Sequence, residues 1–186
     1  MRSIKIYLLL SIFSGLIAQV ASEHLYYGAS SLSMAGSDIA IPKSSWSMFV
    51  NPAGIAEQKT LSLVASTESL FGQDYFSHSL FGIQFRVPKA GSFGLSIEDF
   101  SVAYSGNSLS RETAVGFHQG IMLRSDRNST ISFGYGIKSY TIDYGSSAGV
   151  SGDGSDGIEL GSQSSWGVDI GPVSYTHLTL PTICSV

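Results

Sequence analysis

Few side chains in this sequence are spaced for chemistry. His24, His78 and His118 lie far apart and match no metal-ligand spacing, so each reads as a strand-face or loop residue. Glu98 and Asp99 are adjacent, and on a strand neighbouring side chains point to opposite faces, so the two cannot work as an acid/base pair there. Ser151-Gly152-Asp153-Gly154-Ser155-Asp156-Gly157 resembles a calcium loop in composition. It lacks the Asp-x-Asp-x-Asp-Gly spacing and the distal glutamate of an EF-hand, and reads as a flexible loop. Cys184 is the only cysteine and has no intramolecular disulfide partner. No catalytic, metal-ligating or cofactor-binding residue is assigned, and the chain does not read as an enzyme.

The one stretch with a distinct local design is Met48-Phe49-Val50-Asn51-Pro52-Ala53-Gly54-Ile55-Ala56. Pro52 fixes its own φ and pushes Asn51 towards extended backbone. The Asn51 amide can fold back onto the backbone two residues on, and Gly54 tolerates either sign of φ. The stretch reads as a rigid corner between two kinds of sequence. Before it, residues 23–43 are too rich in Ser, Ala and Gly to make a core of their own. After it, from Thr60, the apolar period becomes two, the signature of half-buried strands.

Leu61, Leu63 and Ala65 alternate with Ser62, Val64 and Ser66 in a first strand. Phe81, Ile83, Phe85 and Val87 oppose Gly82, Gln84 and Arg86 in a second; after the turn Pro88-Lys89-Ala90-Gly91, Phe93, Leu95 and Ile97 oppose Gly94, Ser96 and Glu98. At Glu98-Asp99 the apolar phase slips to Phe100, Val102 and Tyr104, which predicts a β-bulge. Ser105 to Arg111 reads as a longer loop. Val115, Phe117, Ile121 and Leu123 then form one face, interrupted by Gln119, against Gly116, His118 and Gly120. Past Ser125-Asp126-Arg127-Asn128, Ile131, Phe133, Tyr135 and Ile137 repeat the pattern, and a second slip near Ser139 hands it to Tyr140, Ile142 and Tyr144. Gly145 to Ser165 reads as a long loop before a strand at Trp166, Val168 and Ile170.

Composition narrows the class. The 186 residues are 43% hydrophobic but only 13% charged, about half the share of a typical soluble domain, and the net charge of −4 leaves no basic footprint for nucleic acid. Arg2 and Lys5 precede an apolar run, Ile6 to Val20, too short to span a bilayer. With Val20-Ala21-Ser22 as a cleavage site, residues 1–22 read as a signal peptide. The long strands, the low charge and the alternation of tight turns with longer loops favour an antiparallel transmembrane β-barrel over a soluble β-sandwich, which makes the same alternation. In a barrel the Phe, Ile, Leu and Val face meets lipid, the Gly, Ser, Gln, Lys and Glu face lines the lumen, and Tyr75, Tyr104, Tyr140 and Tyr144 fall in aromatic girdles.

Gly28-Ala29-Ser30-Ser31-Leu32-Ser33-Met34-Ala35-Gly36, Asp38-Ile39-Ala40-Ile41 and Trp46 to Gly54 together resemble the N-terminus of one outer-membrane barrel group. That group holds the FadL-like long-chain fatty-acid transporters and the PorV/PorQ-type proteins of the type IX secretion system. Its members resemble one another in Gly-Ala-x-x-Leu-x-Met-Gly-Gly followed by Asn-Pro-Ala-Gly; here Ala35 stands for the first glycine of the pair. The resemblance covers residues 28 to about 104 and implies that residues 23–59 form a plug and residues 60–172 the first strands of a C-terminally truncated barrel. It also implies that Asn51, Pro52, Ala53 and Gly54, with Trp46, Met48 and Phe49 as apolar neighbours, shape a ligand path or gate. The implied location is the bacterial outer membrane, with membrane lipid as a partner and no cofactor. The implied function is either to bind secreted cargo proteins or other secretion components, or to pass a hydrophobic small molecule. The sequence leans to the secretion component.

Residues 173–186 break the preceding composition. Val173-Ser174-Tyr175-Thr176-His177-Leu178-Thr179-Leu180-Pro181-Thr182 resembles the in-frame translation of a transposase-derived sequencing adapter. The expectation is that these residues are not native and that the natural chain continues past about Pro172.

Overall fold

The structure, a computed structural model, describes residues 27–41, 44–104, 107–126, 128–145 and 161–176. The leader, the calcium-like loop at 151–157 and residues 177–186 lie outside the described residues. Six strands form one sheet: β1 (Ser62–Glu68), β2 (Phe76–Val87), β3 (Gly91–Tyr104), β4 (Asn107–Ser125), β5 (Ser129–Tyr144) and β6 (Gly161–Thr176). They follow one another in chain order and every neighbouring pair is antiparallel. The protein is thus predominantly β, as its period-two pattern requires. Residues 173–176 continue β6 in register with β5.

One face of the sheet is covered by the N-terminal segment; the other is open. The segment runs through α1 (Gly28–Ser33), a 3₁₀ turn at Ser37–Ala40, α2 (Ser47–Val50) and a second 3₁₀ turn at Pro52–Glu57. Met48, Phe49 and Ile55 from this segment pack with Val64 and Leu80 from the covered face, and Tyr27, Trp46 and Val50 close around them. Of the stretch 23–43, expected to be too poor for a core of its own, only Tyr27 packs against this cluster, whose other N-terminal members all come from residues 46–55.

The open face keeps the large apolar side chains bare. Leu61, Leu63, Phe81, Leu95, Ile97, Val115, Phe117, Ile121, Leu123, Ile137, Trp166, Val168 and Ile170 are all exposed there. Gln119, which breaks the pattern, is satisfied within the sheet: its amide donates to the Ala90 carbonyl at 2.8 Å and its carbonyl accepts from the Tyr135 hydroxyl.

The phase slips expected at Glu98-Asp99 and Ser139 are absent. β2 and β3 pair without interruption from Phe76↔Val102 to Val87↔Gly91, and β5 and β6 pair without interruption along their length. What changes is the polarity of the faces. Toward the end away from the tight turns, the open face becomes polar, with Ser77, Ser79, Asp99, Ser101, Arg111, Thr113, Thr141 and Asp143. Phe100, Val102, Tyr140 and Ile142 accordingly fall on the covered face, where Phe100 stacks on Phe76 at 6.0 Å. Tyr140 and Tyr144 therefore lie on the covered side, outside any open-face girdle. An inverted pattern and a bulge look identical in sequence, because both move the apolar residues by one position. The register breaks lie elsewhere, at Val102/Ala103 and Met122/Arg124.

The expected loop at Ser105 to Arg111 is also corrected. β4 starts at Asn107, which pairs with Tyr104, so only residues 105–106 connect the strands. Ser108, Ser110 and Arg111 are polar yet ladder-bonded, since a strand rim needs paired backbone and not apolar side chains. The turns at 88–90 and 126–128 are tight, and both lie at the end where β1 begins.

A continuous phase has a direct test. Nitroxide labels at residues 97, 99 and 101 should all report the open face, and labels at 96, 98 and 100 should all be immobilised on the covered face. A swap of the two sets beyond residue 98 would restore the bulge.

Candidate functional site

The expected ligand-path residues form the part of the N-terminal segment that lies against the sheet. Asn51 is extended (φ −153°, ψ 108°) and its side-chain carbonyl accepts from the Ala53 N–H at 3.0 Å, so it caps the Pro52–Glu57 turn. Pro52 occupies the first turn, where its missing N–H costs nothing. The Gly54 N–H donates to the Asn51 carbonyl at 2.9 Å, and residues Pro52 to Glu57 are all buried. Asn51 also donates to the Pro172 carbonyl at 3.5 Å, Thr130 donates to the Glu57 carboxylate at 2.7 Å, and Ser92 donates to the Gln58 carbonyl at 3.2 Å. The corner is thereby tied to β3, β5 and β6.

The sheet is cut to receive it. Ser92, Gly120, Gly134 and Gly171 are directly opposite one another across β3, β4, β5 and β6. A methyl group built on Gly134 would collide with the backbone of Pro52 and Ala53, and one on Gly120 would lie 2.6 Å from the Ala56 nitrogen. At Gly171 the obstacle is the Asn51 side chain. Three glycines in one row let the backbone of the turn rest on the backbone of the sheet. Met48 lies against Gly82, and Trp46 covers Gly28, whose φ of +74° also suits glycine.

α1 ends in a left-handed turn. The Gly36 N–H reaches back to the Ser31 carbonyl at 2.9 Å across Ala35, which has φ +51°, while Gly36 has φ +76°. This is a Schellman closure, in which the first left-handed position favours glycine. Ala35 therefore stands where its Cβ is disfavoured, which gives a physical reason for a glycine pair there. Ser31 donates to Asp38 at 3.0 Å, a buried bond joining α1 to the next turn.

Further along the covered face lie charges that the sequence marked only as lumen residues. The Lys138 ammonium is 3.5 Å from Glu98 and 3.3 Å from Asp169, so one cation joins β3, β5 and β6. Gly116 separates Ser96 from Lys138 in the same row, and the Ser96 hydroxyl and the His118 ring fill the space over it. His118 is fully buried, with Ser96 Oγ 2.9 Å from its Nε2, and Gly116 and Gly136 pack beside the ring. Tyr27 lies among Glu98, Lys138, Tyr140 and Asp169; burial first, and then Glu98, hold its hydroxyl above the usual tyrosine range, so it is neutral. The remaining histidine expectations divide: His78 faces Glu68 at 3.1 Å on the covered face, and His24 lies outside the described residues. Glu98 and Asp99 occupy opposite faces, and Asp99 pairs with Arg111 at 2.6 Å on the open one. Among the described residues, no three His, Cys, Asp or Glu side chains are grouped to hold a metal ion.

Three outcomes follow for stability. Gly134→Ala should cost about 1–3 kcal/mol by overpacking. Gly94→Ala should stay within about 0.5 kcal/mol of the parent, because its methyl would meet Met48, His118 and Ile55 at 3.4–3.6 Å, ordinary contact distances. Ala35→Gly should stabilise by about 0.5–1 kcal/mol, relief of the left-handed strain exceeding the added chain entropy. Urea titration of the folded protein reads all three; equal losses at Gly94 and Gly134 would contradict the packing. No protein-family model, curated protein or solved structure matches this chain, so the reading of the site rests on its own geometry.

Proposed function

We propose that the protein is an exported outer-membrane β-barrel protein of the PorV/PorQ/FadL-like group, with residues 23–59 as its plug. The observation that supports this is the choice of face. In a soluble β-sandwich, a segment carrying Trp46, Met48, Phe49 and Ile55 would cover the apolar face, because that burial drives folding. Here it covers the small and polar face and leaves Phe81, Leu95, Val115, Phe117 and Trp166 bare. The apolar band on β2 runs from Phe81 to Val87 and that on β4 from Val115 to Leu123. At roughly 3.4 Å per residue these spans are about 20–27 Å along the strands, or about 14–22 Å of height at a tilt of 35–45°, most of the lipid-facing band of about 25 Å in outer-membrane barrels. The polar rim above it, with the Asp99–Arg111 pair, suits the outer interface. Single-chain barrels have at least eight strands, so closure requires partners for the free edges of β1 and β6.

Within this group we favour service as a type IX secretion component that binds secreted cargo proteins. The charged covered face, with Glu98, Lys138 and Asp169, is a poor lining for a hydrophobic molecule, since an apolar solute would desolvate these groups without replacing their partners. Passage of a hydrophobic small molecule is the second reading, supported by Phe76, Phe100, Val102 and Ile142 at the outer end of the same face.

With the edges of β1 and β6 closed by further strands, the protein should refold from urea into detergent or thin bilayers as a heat-modifiable species, whereas the six strands alone should aggregate or fail to insert. Val115→Lys, on the open apolar band, should cost about 2–4 kcal/mol of insertion free energy, and Ser101→Lys, on the polar rim, about 0–1 kcal/mol. Equal effects, or a monomer that stays soluble without detergent, would favour the soluble β-sandwich. The C-terminal segment of a secreted cargo should bind the inserted protein, and uptake of a long-chain fatty acid without cargo binding would move the second reading to first place.

A further inference from the structure

The N-terminal segment is fastened in two places by different physics. Its corner, Asn51 to Gln58, rests backbone to backbone on the glycine row and is tied by Asn51, Glu57 and the Gln58 carbonyl. The part before the corner lies over charge. Lys138 is only 7% exposed and holds Glu98, 13% exposed, and Asp169 together; Tyr27 and Tyr140 complete the surroundings of its ammonium. Tyr27 in turn stacks on Phe49 at 5.7 Å, and Trp46 is tilted against the same ring at 5.8 Å. Gln84 donates to the Ser44 carbonyl at 3.4 Å and Ser45 meets Ser62 at 3.0 Å, exchangeable contacts that water can replace.

We propose that Lys138 is an electrostatic catch for residues 27–41: by neutralising Glu98, with the 45% exposed Asp169 as its second partner, it lets Tyr27 lie against that buried carboxylate. This rests on the plug reading and adds a control point to it. A carboxylate left unpaired under an apolar cover is costly, and admitting water is one route to relief. Water can reach Glu98 by lifting the segment around Tyr27 while the corner stays on the glycine row, where Glu57 keeps its bond from Thr130. The N-terminal segment would then have a releasable first part and a fixed second part, divided before Met48, which with Phe49 and Ile55 stays packed on Val64 and Leu80. A change in the charge near Lys138, such as an approaching anionic or cationic group, would be the natural trigger.

Two isosteric reporters separate the parts. Ser31→Cys places a thiol in the first part and Ser92→Cys places one under the corner; both serines are fully buried. With Cys184→Ser as background, maleimide labelling is followed on the detergent-refolded, heat-modifiable protein in which further strands close the edges of β1 and β6. Both thiols should be protected in the parent. Lys138→Met should speed labelling at Ser31→Cys at least tenfold and leave Ser92→Cys protected. Adding Glu98→Gln and Asp169→Asn should restore protection, since no charge then needs water. Unchanged labelling at Ser31→Cys, equal opening of both reporters, or failure of the neutral triple variant to restore protection would each overturn the catch. Loss of heat-modifiability in the parent would instead count against the barrel reading itself.

Discussion

The rest of the structure depends on a close approach: the backbone of Pro52 to Ala56 lying directly on the backbone of Gly120 and Gly134, with the Asn51 side chain on Gly171. Side chains on that row would hold the turn several ångströms away. Without it, Met48 and Ile55 would not reach the covered face, and the cluster with Val64 and Leu80 would not form. The same row explains why the N-terminal segment takes the polar face. Small residues offer contact there at little steric cost, the backbone groups of the turn find partners in the side chains of Asn51 and Ser92, and the Asn51 amide donates to the Pro172 carbonyl.

The arrangement divides labour between the two faces. The covered face carries the glycine row near the tight turns, then the Glu98–Lys138–Asp169 ions, then the aromatic pair Phe76 and Phe100. The open face runs in the opposite sense, from apolar near the tight turns to polar at the far rim. Strands of 12 to 19 residues are needed to carry both gradients, more than the usual five or six of a globular sheet.

Much of this was legible in the sequence because it depends on period alone. The six strands, the two tight turns and the Asn51 cap follow from alternation and from Asn-Pro-x-Gly chemistry. The inverted polarity beyond Glu98 and Ser139 was misread as two bulges, since one sequence cannot distinguish a shifted strand from a changed environment. Ser105 to Arg111 was misread as loop because its side chains are polar, although its backbone is paired. The glycine row and the Lys138 ion triad were not legible. Each depends on which residues of different strands stand opposite one another, and that register is set by pairing rather than by local sequence. The signal that could have found them is the recurrence of glycine at the face positions Gly94, Gly120, Gly134 and Gly171. The seven residues named for a ligand path do share one location, packed between the N-terminal segment and the sheet.

The two tryptophans make the central claim measurable, because one lies on each side of the sheet. Trp166 is 70% exposed on the open face, and Trp46 is packed against Gly28 and Phe49 on the covered one. Trp46→Phe and Trp166→Phe leave one emitter each, and the refolded proteins are placed in bilayers with bromine on the acyl chains. Strong quenching of Trp166 with Trp46 untouched is the predicted result. Quenching of Trp46, or of neither, would contradict an open face turned to lipid and a covered face sealed by the N-terminal segment.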